Sequence, residues 1–211
     1  MLKTRLILFA ATTTLFLSSC VKSGYYTPEP LPPVGYSYIF DDNFDYDAHN
    51  WSFRDDGNKA YVNVSGGTLN YNYNPANDGS NTVAISTGVN MRYDFLIQTS
   101  IRSDYSMGLV FGVSDMDYGY SLFIDNEGYF AVYKEGSAGV APTTILDWQY
   151  STALSSGWND IELEQVGNSW IGYANGAKLF EMAAQPIYGT KIGYIVLAGT
   201  NGQADYLTVQ W

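Results

Sequence analysis

The sequence predicts an all-β domain, a sandwich of antiparallel sheets running from about residue 38 to the last residue, Trp211. Three observations predict it. Short runs alternate apolar and polar residues, glycine and asparagine pairs interrupt them about every 8 to 12 residues, and no apolar repeat of 3.6 residues is sustained over ten or more.

Fourteen strands are expected: near 37–42, 60–65, 68–73, 82–87, 93–102, 107–114, 119–125, 128–134, 143–148, 159–166, 169–174, 177–182, 190–198 and 204–210. Several of the turns between them carry their own mechanism. Gly66-Gly67 joins Val62-Asn63-Val64 to Leu69-Asn70-Tyr71. Asn126-Glu127-Gly128 joins Ser121-Leu122-Phe123-Ile124 to Tyr129-Phe130-Ala131-Val132-Tyr133. Asn175-Gly176, between Trp170-Ile171-Gly172-Tyr173 and Lys178-Leu179-Phe180, pairs two residues that tolerate positive φ, as a type I′ hairpin requires. Consecutive hairpins of this kind imply antiparallel pairing.

The N-terminus reads as a targeting segment. Lys3 and Arg5 precede an apolar run from Leu6 to Leu17, about 12 residues against the roughly 20 that span a bilayer. Leu17-Ser18-Ser19-Cys20 resembles the lipobox of bacterial lipoproteins, an apolar residue and two small ones before a cysteine. That resemblance implies a signal peptide over 1–19, lipidation of Cys20 and anchoring in the cell envelope, with the outer membrane favoured because Val21 is not an aspartate. Two or three acyl chains, at about 0.8 kcal/mol per buried methylene, would hold such a protein stably. Residues 20–37 are then a linker, with Pro28, Pro30, Pro32 and Pro33 favouring an extended spacer of up to about 50 Å.

Cys20 is the sole cysteine, so the domain over 38–211 is expected to hold together by its core without a disulfide, and 46% apolar residues agree. Removal of Lys3 and Arg5 leaves eight basic against 21 acidic residues, near −13. That balance disfavours nucleic acid as a partner, since a polyanion is repelled and no basic stripe exists.

Four segments give the domain a resemblance to the concanavalin A-like lectin/glucanase superfamily, particularly its laminin-G-like members. These are Phe40-Asp41-Asp42-Asn43-Phe44 with Trp51; Gly108-Leu109-Val110-Phe111-Gly112 with Tyr118-Gly119-Tyr120 and Asp125 to Tyr129; Gly157-Trp158-Asn159-Asp160-Ile161-Glu162-Leu163 with Gly167-Asn168 and Asn175-Gly176; and Ala204-Asp205-Tyr206-Leu207-Thr208-Val209. The resemblance implies a two-sheet antiparallel jelly roll with the closing strand beside the opening one. Its motifs specify turns and core rather than chemistry.

Candidate sites follow. Asp160, Glu162 and Glu164 alternate on one strand and share a face. They resemble the carboxylate motif of laminarinase-like glycosidases, but Asp160 stands where the nucleophilic glutamate belongs, and retaining hydrolysis wants carboxyl groups about 5 to 5.5 Å apart. Solvent-facing acids are the simpler reading. His49 is the lone histidine, with no strained Gly-x-Ser-x-Gly elbow to partner it. Asp41, Asn43, Asp45 and Asp47 follow half of a calcium-loop spacing, but Tyr46 and Ser52 replace the required glycine and glutamate. Calcium is expected only if Asp42 meets Asp205 across the terminal strands; no other cofactor is implied.

Aromatic residues make up 16% of the chain, including 19 tyrosines. Flat rings stack on the apolar faces of sugars while amides and carboxylates take the hydroxyls. Tyr118, Trp148, Tyr150 and Trp170 are the expected ligand-binding rings, although most rings will be scaffold. The expectation is a noncatalytic binding module, for glycans first; a structural or protein-binding envelope component and a divergent laminarinase-like hydrolase are the alternatives.

Overall fold

The computed structural model describes residues 37–211 apart from 56, 58, 75, 77 and 138. The expected signal peptide, Cys20 and the linker up to residue 36 lie outside the described residues. Within them there are fifteen strands and no helix: β1 (Tyr38–Asp42), β2 (Phe53–Arg54), β3 (Ala60–Ser65), β4 (Thr68–Tyr73), β5 (Ser80–Ser86), β6 (Phe95–Ser103), β7 (Ser106–Val113), β8 (Gly119–Asp125), β9 (Tyr129–Glu135), β10 (Thr143–Tyr150), β11 (Asn159–Val166), β12 (Ser169–Ala174), β13 (Ala177–Ala183), β14 (Lys191–Leu197) and β15 (Asn201–Gln210). Fourteen of them occupy the expected segments. The added strand, β2, is two residues long, too short to show any period in sequence.

The strands form two antiparallel sheets. The larger has nine strands in the order β13-β12-β11-β6-β15-β4-β3-β2, with β1 also on β15; the smaller has six, β10-β9-β8-β7-β14-β5. The closing strand β15 pairs with the opening strand β1, as the resemblance implies. β15 also pairs with β4 through its first half and with β6 along its length, and its register on β6 slips between Ala204 and Tyr206. Asp205 is thus the extra residue of a β-bulge, which turns its side chain out to solvent.

Alternation builds the interior. Ile161, Leu163 and Trp170 of the larger sheet meet Leu109, Phe111, Tyr120, Leu122 and Tyr194 of the smaller one. Trp170 is fully buried against Phe111 and Tyr120, at ring-centroid distances of 5.0 and 4.7 Å, and its indole N–H donates to Gln165 Oε1 at 2.9 Å. The expectation that Trp170 binds ligand is therefore corrected: its position on β12 faces inward, and its one polar atom is satisfied there.

The corner after β1 is built on a buried carboxylate. Asp42 is 5% exposed and accepts from the Phe44 amide at 2.9 Å, the Trp51 indole N–H at 2.8 Å and His49 Nδ1 at 2.7 Å. Phe44 and Trp51 are themselves fully buried, so this one side chain fixes the entry of two large rings into the core. Asp42 sits opposite Leu207, facing in, while Asp205 faces out on its bulge. Asp42 thus gives its oxygens to three protein donors, with which a cation shared with Asp205 would compete. The neighbouring acids cap turns. Asp47 accepts from the amides of Trp51 and Ser52 at 2.7 and 3.1 Å, and Asn43 bonds both the amide and the carboxylate of Asp45.

Asp42→Ala leaves a buried indole N–H and a backbone amide unsatisfied, and is expected to cost about 3 kcal/mol in chemical denaturation. Asp205→Ala, exposed on its bulge, is expected to cost less than about 0.5 kcal/mol. Equal losses from the two variants would contradict the corner as described.

Candidate functional site

The smaller sheet departs from the simple rule of apolar inside and polar outside. Every residue of β7 is buried, and so is every residue of β8 up to Asp125. Met107, Leu109 and Phe111 of β7 and Tyr120, Leu122 and Ile124 of β8 belong to the main core. Val110, Val113, Phe123 and Ile195 form a second apolar cluster, and because neighbouring side chains on a strand point to opposite faces, it lies on the outer side of the same sheet. Tyr133, Trp148, Ala84 and Leu197 pack around it.

Register shapes this outer face. On β8 and β9, Phe123 stands opposite Ala131, Ser121 opposite Tyr133, and Gly119 opposite Glu135. Each large side chain thus faces a small one across the pair, which leaves relief rather than a filled layer. Gly193 of β14 keeps the face low beside Val110, and a Cβ there would lie 2.0 Å from the Val83 carbonyl oxygen.

The result is a depression of about 180 Å³ walled by Phe123, Tyr133, Trp148 and Leu197 and lined also by Glu135, Pro142 before β10, and Gly79 and Ser80 at the start of β5. The three rings are mutually inclined: Phe123–Tyr133 at 6.0 Å and 82°, Phe123–Trp148 at 6.3 Å and 45°, Tyr133–Trp148 at 6.5 Å and 62°. A second depression of about 330 Å³ adjoins it, sharing Trp148 and Leu197 and adding Tyr105, Tyr129, Asp125, Asn126 and Glu127. Together they form a groove with Trp148 between its two halves.

Among the described residues one acid lines the first half. Glu135 is 9% exposed, and the Ser121 hydroxyl donates to its Oε1. Burial pushes its carboxyl above the ordinary carboxylate range, against the Ser121 hydrogen bond, which lowers it. Burial likewise raises the Tyr133 hydroxyl, with the carboxylates of Asp147 and Glu135 adding to the shift.

The structure divides the four expected rings. Trp148 lies at the centre of the groove. Tyr150 is 63% exposed at the end of β10 and contacts Tyr129, which lines the second depression, at 5.5 Å and 66°. Tyr118 lines neither depression and packs instead on Tyr188 at 5.9 Å. Trp170 is core. Phe123, Tyr133, Ser121 and Glu135 were not anticipated, although the unbroken apolar run Leu122-Phe123-Ile124 is a signal that both faces of a strand are covered.

The three acids of β11 do share a face, as expected, but it is the outer face of the other sheet. Asp160 is exposed, Glu162 and Glu164 are half-buried, and Glu162 Oε2 accepts from Gln98 Nε2 at 2.8 Å. Gln210 donates in turn to Gln98 Oε1 at 3.2 Å. His49 is tied to Asp42 and its ring sits 4.7 Å from Phe40. Among the described residues no group of three or more His, Cys, Asp or Glu is placed to hold a metal.

No family model and no curated protein matches the chain. Solved structures do. A prokaryotic β-1,3-1,4-glucanase (lichenase) derived from a mouse hindgut metagenome matches with a TM-score of 0.51 at 12% identity, covering 81% of this chain and 97% of that one. A structure described as a native glycosidic hydrolase matches at 0.52 and 11%, covering 82% and 94%. The carbohydrate-binding module CBM66 from Bacillus subtilis gives 0.48 and 12%, covering 84% and 96%. At such identity the likeness is one of fold, and the domain is a two-sheet antiparallel jelly-roll sandwich.

The sign of the Glu135 shift makes a prediction. Its folded pKa lies above the ordinary value of 4.5, so its contribution to stability is complete below that value and is lost as pH rises through the raised one. Glu135→Gln removes the titration. Wild type is expected to lose stability relative to the variant as pH is raised from about 4 to about 7 in urea denaturation. A difference that stays constant with pH, or grows in the opposite sense, would contradict the burial of this carboxyl.

Proposed function

We propose that this chain is a lipid-anchored envelope protein whose sandwich is a noncatalytic glycan-binding module, with the groove on the outer face of the six-stranded sheet as its site. The observation that carries the reading is the combination in that groove: rings of differing inclination, Phe123, Tyr133 and Trp148, beside oxygen and amide groups of Glu135, Asp125 and Asn126. Rings of this kind cover the C–H faces of a pyranose and the polar groups take its hydroxyls. A groove of two adjoining halves that share Trp148 and Leu197 suits a chain of sugars better than a single one.

Two further considerations support it. The fold is shared with a glucanase and a glycosidic hydrolase, so the framework accommodates glycan ligands. The acids that resemble a hydrolase motif lie on the other sheet, with Glu162 held by Gln98, which favours binding over cleavage. The envelope location rests on the sequence through Leu17-Ser18-Ser19-Cys20.

The test is a panel of neutral, acidic and amino-sugar oligosaccharides presented to the full chain, with Trp148→Ala, Tyr150→Ala and a chelator as separate arms. Trp148→Ala is expected to weaken binding at least about tenfold, Tyr150→Ala by less, and chelator to leave it unchanged. Absence of binding to every glycan, or binding indifferent to Trp148, would overturn the reading. Loss on chelation would restore calcium as a cofactor, and release of reducing ends that stops on Glu164→Gln would make the protein a hydrolase.

A further inference from the structure

The groove carries an unusual charge balance. Glu135 lines one half and Asp125 and Glu127 line the other, while among the described residues no lysine, arginine or histidine lines either. The nearby cations are engaged elsewhere: Lys134 lies over the Tyr188 ring at 5.2 Å, and Lys191 pairs with Asp115 at 2.8 Å. Within the described residues Glu135 has a hydroxyl partner on Oε1 and no cationic one. A carboxyl so buried is costly to ionise without a positive partner, and its raised pKa expresses that cost.

The rings add to the same preference. The faces of Trp, Tyr and Phe carry negative quadrupole potential and attract ammonium groups, more strongly where water is excluded. A concave, low-dielectric surface lined by one sign of charge concentrates the field of its carboxylates.

We propose that the groove selects its sugars by charge, taking hexosamine units with a free, protonated amine over neutral hexoses and rejecting uronic acids, with Glu135 as the discriminating residue. This rests on the glycan-binding reading above and names the class of sugar within it. The ammonium would meet the Glu135 carboxylate and a ring face together, the two attractions that the groove offers and that an anionic sugar would turn into repulsion.

The experiment titrates the full chain with methyl glycosides of glucosamine, glucose and glucuronic acid at a pH where the amine is protonated, following the Trp148 indole N–H by NMR. Affinity is expected to fall in that order, with at least about tenfold between the amine and the acid. Added salt should weaken the amine sugar and leave the neutral one unchanged. Glu135→Gln, of the same shape and still able to accept from Ser121, should reduce the tenfold ratio to about threefold or less. A glucuronide that binds as tightly as the glucosaminide in the wild-type chain overturns the proposal, whatever the variant does, and so does a ratio indifferent to Glu135→Gln. Failure of all three sugars to shift Trp148 overturns the glycan reading and this proposal with it. Tetramethylammonium binding as tightly as the amino sugar would keep the charge selection and overturn the sugar reading.

Discussion

Water reaches neither side of β7, and the rest of the molecule follows from that constraint. Its inward residues fill the sandwich with those of the nine-stranded sheet, and its outward residues must be covered as well. A sheet in a two-layer sandwich has no third layer to supply the cover. Here the cover comes from the sheet's own side chains: Trp148 on β10, Tyr133 on β9 and Leu197 on β14 rise beside Val110, Phe123 and Ile195. Tall side chains around a low centre make a groove, so the structural requirement and the candidate site are the same feature.

The two outer faces answer different needs. On the nine-stranded sheet, amides and acids satisfy one another across strands, as in Gln210 to Gln98, Gln98 to Glu162 and Gln203 to Asn70. Such pairing lets a polar surface stand in water. On the six-stranded sheet, rings and a buried carboxyl stand where solvent would otherwise be the partner, and a ligand that brings both C–H faces and hydrogen-bond donors completes it. The carboxylate triplet of β11 has the more familiar pattern, yet it lies on the outer face of the nine-stranded sheet.

Much of the fold was legible because alternation and turn chemistry are local. Asn175 and Gly176 adopt φ of 50° and 77°, as a type I′ hairpin requires, and Gly66-Gly67 turns with φ of 66° and 75°. The turn at Asn126-Glu127-Gly128 differs in kind, with positive φ only at Gly128 and with Asp125 Oδ1 accepting from the amides of Glu127 and Tyr129. The site was legible only in part, because which rings converge depends on strand order. Trp148 and Trp170 look alike in sequence, each a tryptophan on a strand directly after a polar residue. One lies at the sheet margin and the other in the centre of the sandwich, a difference set by pairings that no local window contains. Glu135 was invisible for the same reason: its depth is created by Ser121 and Gly119 on the neighbouring strand.

The central claim, that the outer face of the six-stranded sheet is the binding surface, is tested most directly by mapping a bound glycan onto backbone amide shifts of the full chain. Perturbations concentrated on Phe123, Tyr133, Glu135 and Trp148 are the predicted result. Perturbations concentrated instead on Asp160, Glu162 and Glu164 would place recognition on the opposite sheet and contradict the account.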